Sequence, residues 1–158
     1  EVLREAVDLI EDEVPANNVG SGNIAGVELG YPVNKKKKLI SDENLDTIKS
    51  ELLKLMETEK PFLDSDLNLV KLANKMNLSS HLLSYAINNG FDENFFQFIN
   101  RYRIEEAKKL ILNPKMNHLS LLGIGFEVGF NSKTVFNTTF KKITGKTPSE
   151  YKKNSSDL

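Results

Sequence analysis

Residues 121–142 of this 158-residue chain read LLGIGFEVGFNSKTVFNTTFKK. Apolar residues recur at helical spacing on both sides of a short turn that begins at Gly129. Glycine tolerates positive φ, and Ser132 or the residue before it is a suitable N-cap for the helix that follows. The stretch therefore predicts a helix, a tight turn and a second helix.

The same pattern occurs earlier in the chain, at a spacing of 52 to 53 residues. The matched positions are apolar or small: Leu69, Leu72, Ala73, Met76 and Leu78 pair with Leu121, Ile124, Gly125, Val128 and Phe130, and Leu83, Ala86 and Ile87 pair with Phe136, Thr139 and Phe140. Asn77 begins the earlier turn, and Ser80 or the residue before it is the N-cap. Repetition at a fixed spacing indicates a duplicated unit, so we predict two helix-turn-helix units in tandem.

The rest of the chain predicts helices and polar turns without an alternating strand pattern. One helix is expected over 42–59, with Ser41 as its N-cap and an apolar stripe from Leu45 to Met56. The others are expected near 66–76, 80–88, 93–112, 119–128, 132–144 and 148–153. The predicted fold class is all-α, with two helix-turn-helix units over 61–153, a long connecting helix between them, one or two extra N-terminal helices before them and a tail over 154–158.

The N-terminal 60 residues differ in composition from the rest. Residues 1–34 hold one basic and seven acidic residues, a net charge of −6, and predict an amphipathic helix over 2–14 followed by a Gly- and Asn-rich linker. This segment is either a small docking element or foreign to the rest. Residues 35–60 combine the helix over 42–59 with a four-lysine run, which is a solvated linker, a phosphate-contacting arm or the cytoplasmic flank of a membrane segment.

Charge and composition narrow the functional class. Residues 101–153 hold 11 basic and 4 acidic residues, a net charge of +7, although the whole chain has −1. Such a basic segment favours a polyanionic partner. Without cysteine, and with His81 and His118 far from any metal-ligand spacing, the chain predicts no metal, no cofactor, no small-molecule site and no catalytic residue. It is therefore predicted not to be an enzyme, and the cytoplasm is its expected compartment.

The second helix of each unit is predicted to bury one face and expose the other. The expected buried residues are Leu83, Ala86 and Ile87 in the first unit and Val135, Phe136, Thr139 and Phe140 in the second. The exposed faces would then present Ser80, His81, Ser84, Tyr85 and Asn88, and Lys133, Thr134, Asn137, Thr138 and Lys141. Because these side chains can hydrogen-bond to base edges and phosphates, two such helices in tandem favour double-stranded DNA as the partner.

Two further motifs point to a known family. GFNSKTVFNTTFKK at 129–142, followed by TGKTPSEY at 144–151, resembles the signature of the arabinose-regulator (AraC/XylS) family of DNA-binding domains. RIEEAKKL at 103–110 resembles the connecting helix of that family. The resemblance covers about 61–153, whereas residues 1–34 match nothing in the family.

The resemblance implies a bacterial transcription regulator whose helices 80–88 and 132–144 enter successive major grooves. By position, the implied base-facing residues are Ser80, His81, Ser84, Tyr85, Lys133, Thr134, Asn137 and Thr138, and the implied phosphate contacts are Ser79, Asn131, Lys141 and Lys142. RNA polymerase is a further implied partner, and the oligomeric state stays open. In a subset of members, a segment like residues 35–59 follows membrane-spanning helices, so the resemblance allows a membrane anchor upstream of residue 35 in the full-length protein. The alternative is a helical adaptor module that has lost DNA binding or masks it with the acidic segment.

Two departures from the family pattern produce further expectations. Asp92 stands where the family usually has a glycine, with Gly90 two places earlier, so the loop before the connecting helix is expected to be reshaped. Gly123 and Gly125 lie inside a predicted helix at a cost of about 1 kcal/mol each relative to alanine. The second unit is therefore expected to be loosely held without DNA.

Overall fold

A computed structural model of the chain describes residues 38–156. The predicted helix over 2–14, the Gly- and Asn-rich linker and the first three lysines of the lysine run lie outside the described residues. Among these, residues from Asp42 onward belong to one compact unit.

Residues 38–156 are helical without strands, as the sequence predicts. The α-helices are α1 (Asp42–Thr58), α2 (Leu69–Lys75), α3 (Ser80–Phe91), α4 (Phe95–Leu112), α5 (Leu121–Glu127), α6 (Lys133–Thr144) and α7 (Pro148–Ser156). Single turns of 3-10 helix occupy Pro61–Leu63 and Pro114–Met116. The predicted helices agree with these bounds within a few residues, and the all-α fold class is confirmed.

The turns of the two helix-turn-helix units have the same backbone hydrogen bond. In the first turn the Leu78 N–H donates to the Ala73 carbonyl at 2.9 Å, and in the second the Phe130 N–H donates to the Gly125 carbonyl at 3.0 Å. The residue before each donor has positive φ, 54° at Asn77 and 101° at Gly129. The sequence repeat therefore corresponds to a repeat of backbone conformation, which is the αL ending expected where a helix stops abruptly.

The loop between α3 and α4 corrects one expectation. Gly90 does not form the loop; it lies inside α3, where an added Cβ would meet the Lys49 side chain of α1 at 2.8 Å. Asp92 itself adopts the left-handed conformation, with φ 56° and ψ 32°, and ends α3. Asn94 then begins α4 with a reciprocal capping box to Gln97. An Asp tolerates this backbone conformation, so the connection stays short.

Helix α4 is central and packs against elements of both units. Helix α3 packs on it from the first unit, and α5, α6 and α7 pack on it from the second. The buried core of the second unit comprises Ile104, Ala107, Ile111, Ile124, Val128, Phe130, Phe136 and Phe140. Helix α1 packs against α3 through a stripe whose fully buried members are Ile48, Leu52 and Met56. Helix α1 is thus an integral part of this compact unit.

Gly125 permits the close approach of α5 and α6. A Cβ at this position would lie 2.7 Å and 2.8 Å from two ring atoms of Phe136. The glycine costs helix propensity but lets the buried Phe136 ring lie directly against the α5 backbone. The expectation of a loosely held second unit counts only the loss of helix propensity and stays a prediction.

Arg103 on α4 joins the segment after α1 to the second turn. Its Nε donates to the Phe62 carbonyl at 2.7 Å, and its guanidinium also donates to the Asp64 carbonyl at 2.8 Å. The guanidinium carbon lies 5.6 Å from the centroid of the Phe130 ring. Burial lowers the pKa of Arg103, and the nearby Asp64 opposes this shift. One side chain therefore connects the beginning of the first unit to the turn of the second.

Candidate nucleic-acid interface

Helices α3 and α6 are the second helices of the two units, and serine caps both. The Ser79 hydroxyl accepts the Leu82 N–H at 3.1 Å, and the Ser132 hydroxyl accepts the Val135 N–H at 3.4 Å. Neither helix has an acidic residue in its first turn. The N-terminal ends of both helices therefore combine the positive end of the helix dipole with main-chain N–H groups and no acidic side chain, which suits contact with phosphate groups.

Helix α6 exposes a broad polar face. Its exposed side chains include all the residues predicted to contact DNA from this helix and the turn before it: Asn131, Lys133, Thr134, Asn137, Thr138, Lys141 and Lys142. One prediction about this helix is wrong, because Val135 is 47% exposed rather than buried. Phe136 and Phe140 fill the core, and Val135 lies about 100° around the helix from Phe136. Thr139 is half-buried.

Helix α3 exposes a narrower face. Ser79, His81 and Asn88 are exposed, whereas the predicted base-facing residues Ser80, Ser84 and Tyr85 are half-buried. At the C-terminal end of α3, the Lys49 side chain of α1 covers Gly90 and its Nζ lies 5.7 Å from the Phe91 ring centroid. The repeat-equivalent of Gly90 in α6 is Ile143, which is 42% exposed. Helices α3 and α6 are thus unequal in accessible surface.

Helix α6 carries three exposed lysines that form no ion pair within the described part of the chain. Among residues 38–156, Lys133, Lys141 and Lys142 form no ion pair, whereas several basic residues of α4 are paired with carboxylates. Lys109 and Lys60 both contact Glu106, at 3.5 Å and 2.9 Å. Burial alone raises the pKa of Glu106, but the hydrogen bond from Lys60 and the nearby lysines lower it on balance. The pairs of Lys108 and Lys109 with Glu105 and Glu106 are already included in the net charge of +7 over 101–153, and the three lysines of α6 have no carboxylate of the described residues within ion-pair distance.

Arg101 is a basic residue whose charge is already paired with a carboxylate and is therefore less available to contact phosphates. Its guanidinium donates to both carboxylate oxygens of Glu93 at 2.9 Å and lies 5.0 Å from the Tyr102 ring centroid. The hydrogen bonds that Arg101 donates to the Glu93 carboxylate raise the pKa of Arg101, against the opposing effect of burial. The two residues are eight positions apart, so counting charges along the sequence does not reveal their pairing.

The described residues contain no group of three His, Cys, Asp or Glu side chains able to hold a metal ion. His118 contacts the Lys115 carbonyl through Nδ1 at 2.9 Å, and His81 is exposed on α3. Within the same range, no helix is long and apolar enough to cross a membrane.

Comparison with known proteins agrees with this geometry. A family model described as a helix-turn-helix domain matches residues 72–154. The Msm operon regulatory protein of Streptococcus mutans is 32% identical over 89 residues, which are 56% of this chain and 31% of that protein. The arabinose operon regulatory protein of Escherichia coli is 29% identical over 89 residues, 56% of this chain and 30% of that protein. The chain therefore spans about a third of the length of these two curated relatives.

Solved structures give the same result for the fold. The C-terminal domain of the two-component response regulator yesN from Fusobacterium nucleatum is 30% identical with a TM-score of 0.55, over 70% of this chain and 98% of that domain. A DNA-binding transcriptional dual regulator from Escherichia coli K-12 has a TM-score of 0.60 at 19% identity, over 70% of this chain and 94% of that chain, a likeness of fold alone. By its sequence match and its tandem capped helices, this chain belongs to the AraC-type helix-turn-helix family of DNA-binding transcription regulators.

Proposed function

We propose that the chain binds a bipartite DNA site, with α3 in one major groove and α6 in the next. The observation that carries this proposal is the pair of serine-capped helices in tandem, of which α6 presents three unpaired lysines. A monomer would then read two short half-sites about 10–10.5 base pairs apart, because one helical turn separates successive major grooves on the same side of the duplex.

The proposed roles differ along α6. Lys133, Thr134 and Asn137 lie in its first half and are proposed to reach base edges, since the N-terminal residues of a recognition helix approach the bases. Lys141 and Lys142 lie in its last turns and are proposed to hold phosphates, together with Ser79 and Asn131 at the two turns. On α3, the proposed base-facing set is Ser80, His81, Ser84 and Tyr85, with His81 the most accessible of the four.

The test is selection of duplexes from a random-sequence library by the full 158-residue chain, followed by binding of the selected duplex at two salt concentrations. We expect two enriched motifs about one helical turn apart and a steep loss of affinity with salt, because phosphate contacts release counterions. Absence of enrichment by a chain that circular dichroism shows to be folded would refute the proposal.

Single substitutions separate the proposed roles. Lys133→Ala or Asn137→Ala should relax base preference at one position and cost about 1–3 kcal/mol of binding free energy. Lys141→Ala should weaken all sequences alike and reduce the salt slope by about one. Lys109→Ala is the matched control, because this lysine lies on α4 beside Glu106, away from α3 and α6 in sequence. Equal behaviour of Lys133, Asn137 and Lys141 variants would contradict the assignment.

A second candidate function is masking of the basic face by the acidic segment, motivated by the charge of −6 over residues 1–34. Deletion of residues 1–34 should then raise DNA affinity, most strongly at low salt. Unchanged affinity at low salt would rule this out. Contact with RNA polymerase and a membrane anchor upstream of residue 35 stay predictions from the family resemblance.

A further inference from the structure

Val135 is an exposed apolar residue in the first turn of α6. Its side chain is 47% exposed, although the neighbouring exposed positions of this helix carry lysine, threonine and asparagine. The repeat-equivalent residue on α3 is Leu82, which is only 5% exposed. Exposure at this position is therefore a property of the second unit and not of helix-turn-helix geometry in general.

The core of the second unit does not need the Val135 side chain. Phe136 and Phe140, at 1% and 0% exposure, occupy the interior together with Ile124 and Val128. The Phe136 ring already packs against Gly125 and lies 5.3 Å from the Phe130 ring. About half of the Val135 side chain is uncovered, and this apolar surface is available to a ligand of α6.

Thr138 adds a second methyl group beside Val135. Its hydroxyl donates a hydrogen bond to the Thr134 carbonyl one turn earlier, so its one proton is already used within the helix. Residues three apart are neighbours on a helix surface, which places Thr138 next to Val135 on the exposed side. The sequence predicts Thr138 as a base-facing residue; with its proton engaged, its hydroxyl oxygen can only accept a hydrogen bond, and its γ-methyl is its apolar group.

We infer that Val135 and the Thr138 methyl group form an apolar patch that reads the 5-methyl group of a thymine in the half-site of α6. Thymine alone among the four bases presents a methyl group in the major groove. Removing a methyl group from water against such a patch stabilises a complex by an amount that corresponds to about a three- to tenfold change in Kd. This inference rests on the proposed function, because it requires α6 to lie in a major groove.

The test uses the full chain and the duplex selected for it, with each thymine replaced in turn by deoxyuridine. This replacement removes only the 5-methyl group and keeps every hydrogen-bonding group of the base. We expect one replacement in the α6 half-site to weaken binding about three- to tenfold for the unaltered protein and less than about twofold for Val135→Ala. Val70→Ala is the matched control: Val70 is 56% exposed on α2, outside the recognition helices, and its loss should leave the deoxyuridine effect unchanged.

The outcomes separate this inference from the proposed function. If the selected duplex binds with strong salt dependence but no deoxyuridine replacement changes Kd, or the α6 half-site contains no thymine, the inference is overturned and the proposed function stands. If the replacement weakens Val135→Ala as much as the unaltered protein, Val135 is not the reader. If the folded chain selects no duplex, both fail together.

Discussion

Replacement of Arg103 by alanine should destabilise the domain by about 2–4 kcal/mol. A hydrogen bond from a charged donor contributes about 1.5–3 kcal/mol when partly buried, as the bond to the Phe62 carbonyl is. The bond to the Asp64 carbonyl is exposed and is worth less. The guanidinium over the Phe130 ring adds about 0.5–1 kcal/mol.

The assay is urea unfolding followed by circular dichroism. With a slope of about 2 kcal/mol per molar urea, the predicted loss lowers the midpoint by about 1–2 M. Arg103→Lys should lose roughly half as much, because one ammonium group cannot replace the planar fork that reaches two carbonyls. Lys109→Ala is the control on the same helix, with a side chain 72% exposed and an expected change below about 0.5 kcal/mol.

Arg103→Ala should also reduce the preference for one spacing between half-sites, because this side chain connects the segment before α2 to the turn before α6. A binding series over duplexes with altered spacing measures this effect. If Arg103→Ala unfolds at the same urea concentration as Lys109→Ala, the structural role assigned to Arg103 is refuted.

Three other predictions concern stability. Gly125→Ala should destabilise by about 1–3 kcal/mol through the clash with a buried ring. Gly123→Ala should destabilise less, because the closest atom to the added Cβ is the Ser120 hydroxyl oxygen at 3.3 Å, and the gain in helix propensity offsets this contact. Thermal unfolding of the pair decides. Leu52→Ala should cost about 2–5 kcal/mol in urea unfolding, and a smaller loss would show that α1 is dispensable. Hydrogen bonds from the Thr147 N–H and hydroxyl lower the pKa of the Glu150 carboxyl. Glu150 therefore stabilises the fold above its unfolded pKa of about 4.3, and this stabilisation is lost as pH falls through its lower pKa in the folded protein. The stability gap between the unaltered protein and Glu150→Gln should therefore shrink on acidification, and a gap constant with pH would contradict this.

The repeat made the tandem architecture predictable from sequence because both turns require the same local chemistry. Asn77 and Gly129 supply the positive φ, and Ser79 and Ser132 supply the caps, all within a few residues of each other. Such local constraints depend little on the rest of the fold. The family match then confirmed the fold class and the DNA-binding function.

The features that the sequence did not predict depend on contacts between distant elements. Val135 and Leu82 occupy equivalent positions, yet their exposures differ because the two units pack in different surroundings. Helical periodicity places a residue on a face but does not say which neighbouring helix covers it. The pairing of Arg101 with Glu93 joins residues eight positions apart, which the charge pattern along the sequence did not predict.

The difference in accessible surface between α3 and α6 has a consequence for the direction in which the protein would sit on DNA. A two-fold symmetric dimer on a palindromic operator has no front or back along the duplex. If α3 and α6 enter successive major grooves as proposed, the narrow face of α3 and the broad, lysine-bearing face of α6 follow each other in one chain, and the bipartite site would have polarity. Inverting such a site would reverse the bound molecule and present its opposite end to the transcription start, so operator orientation itself becomes a means of control.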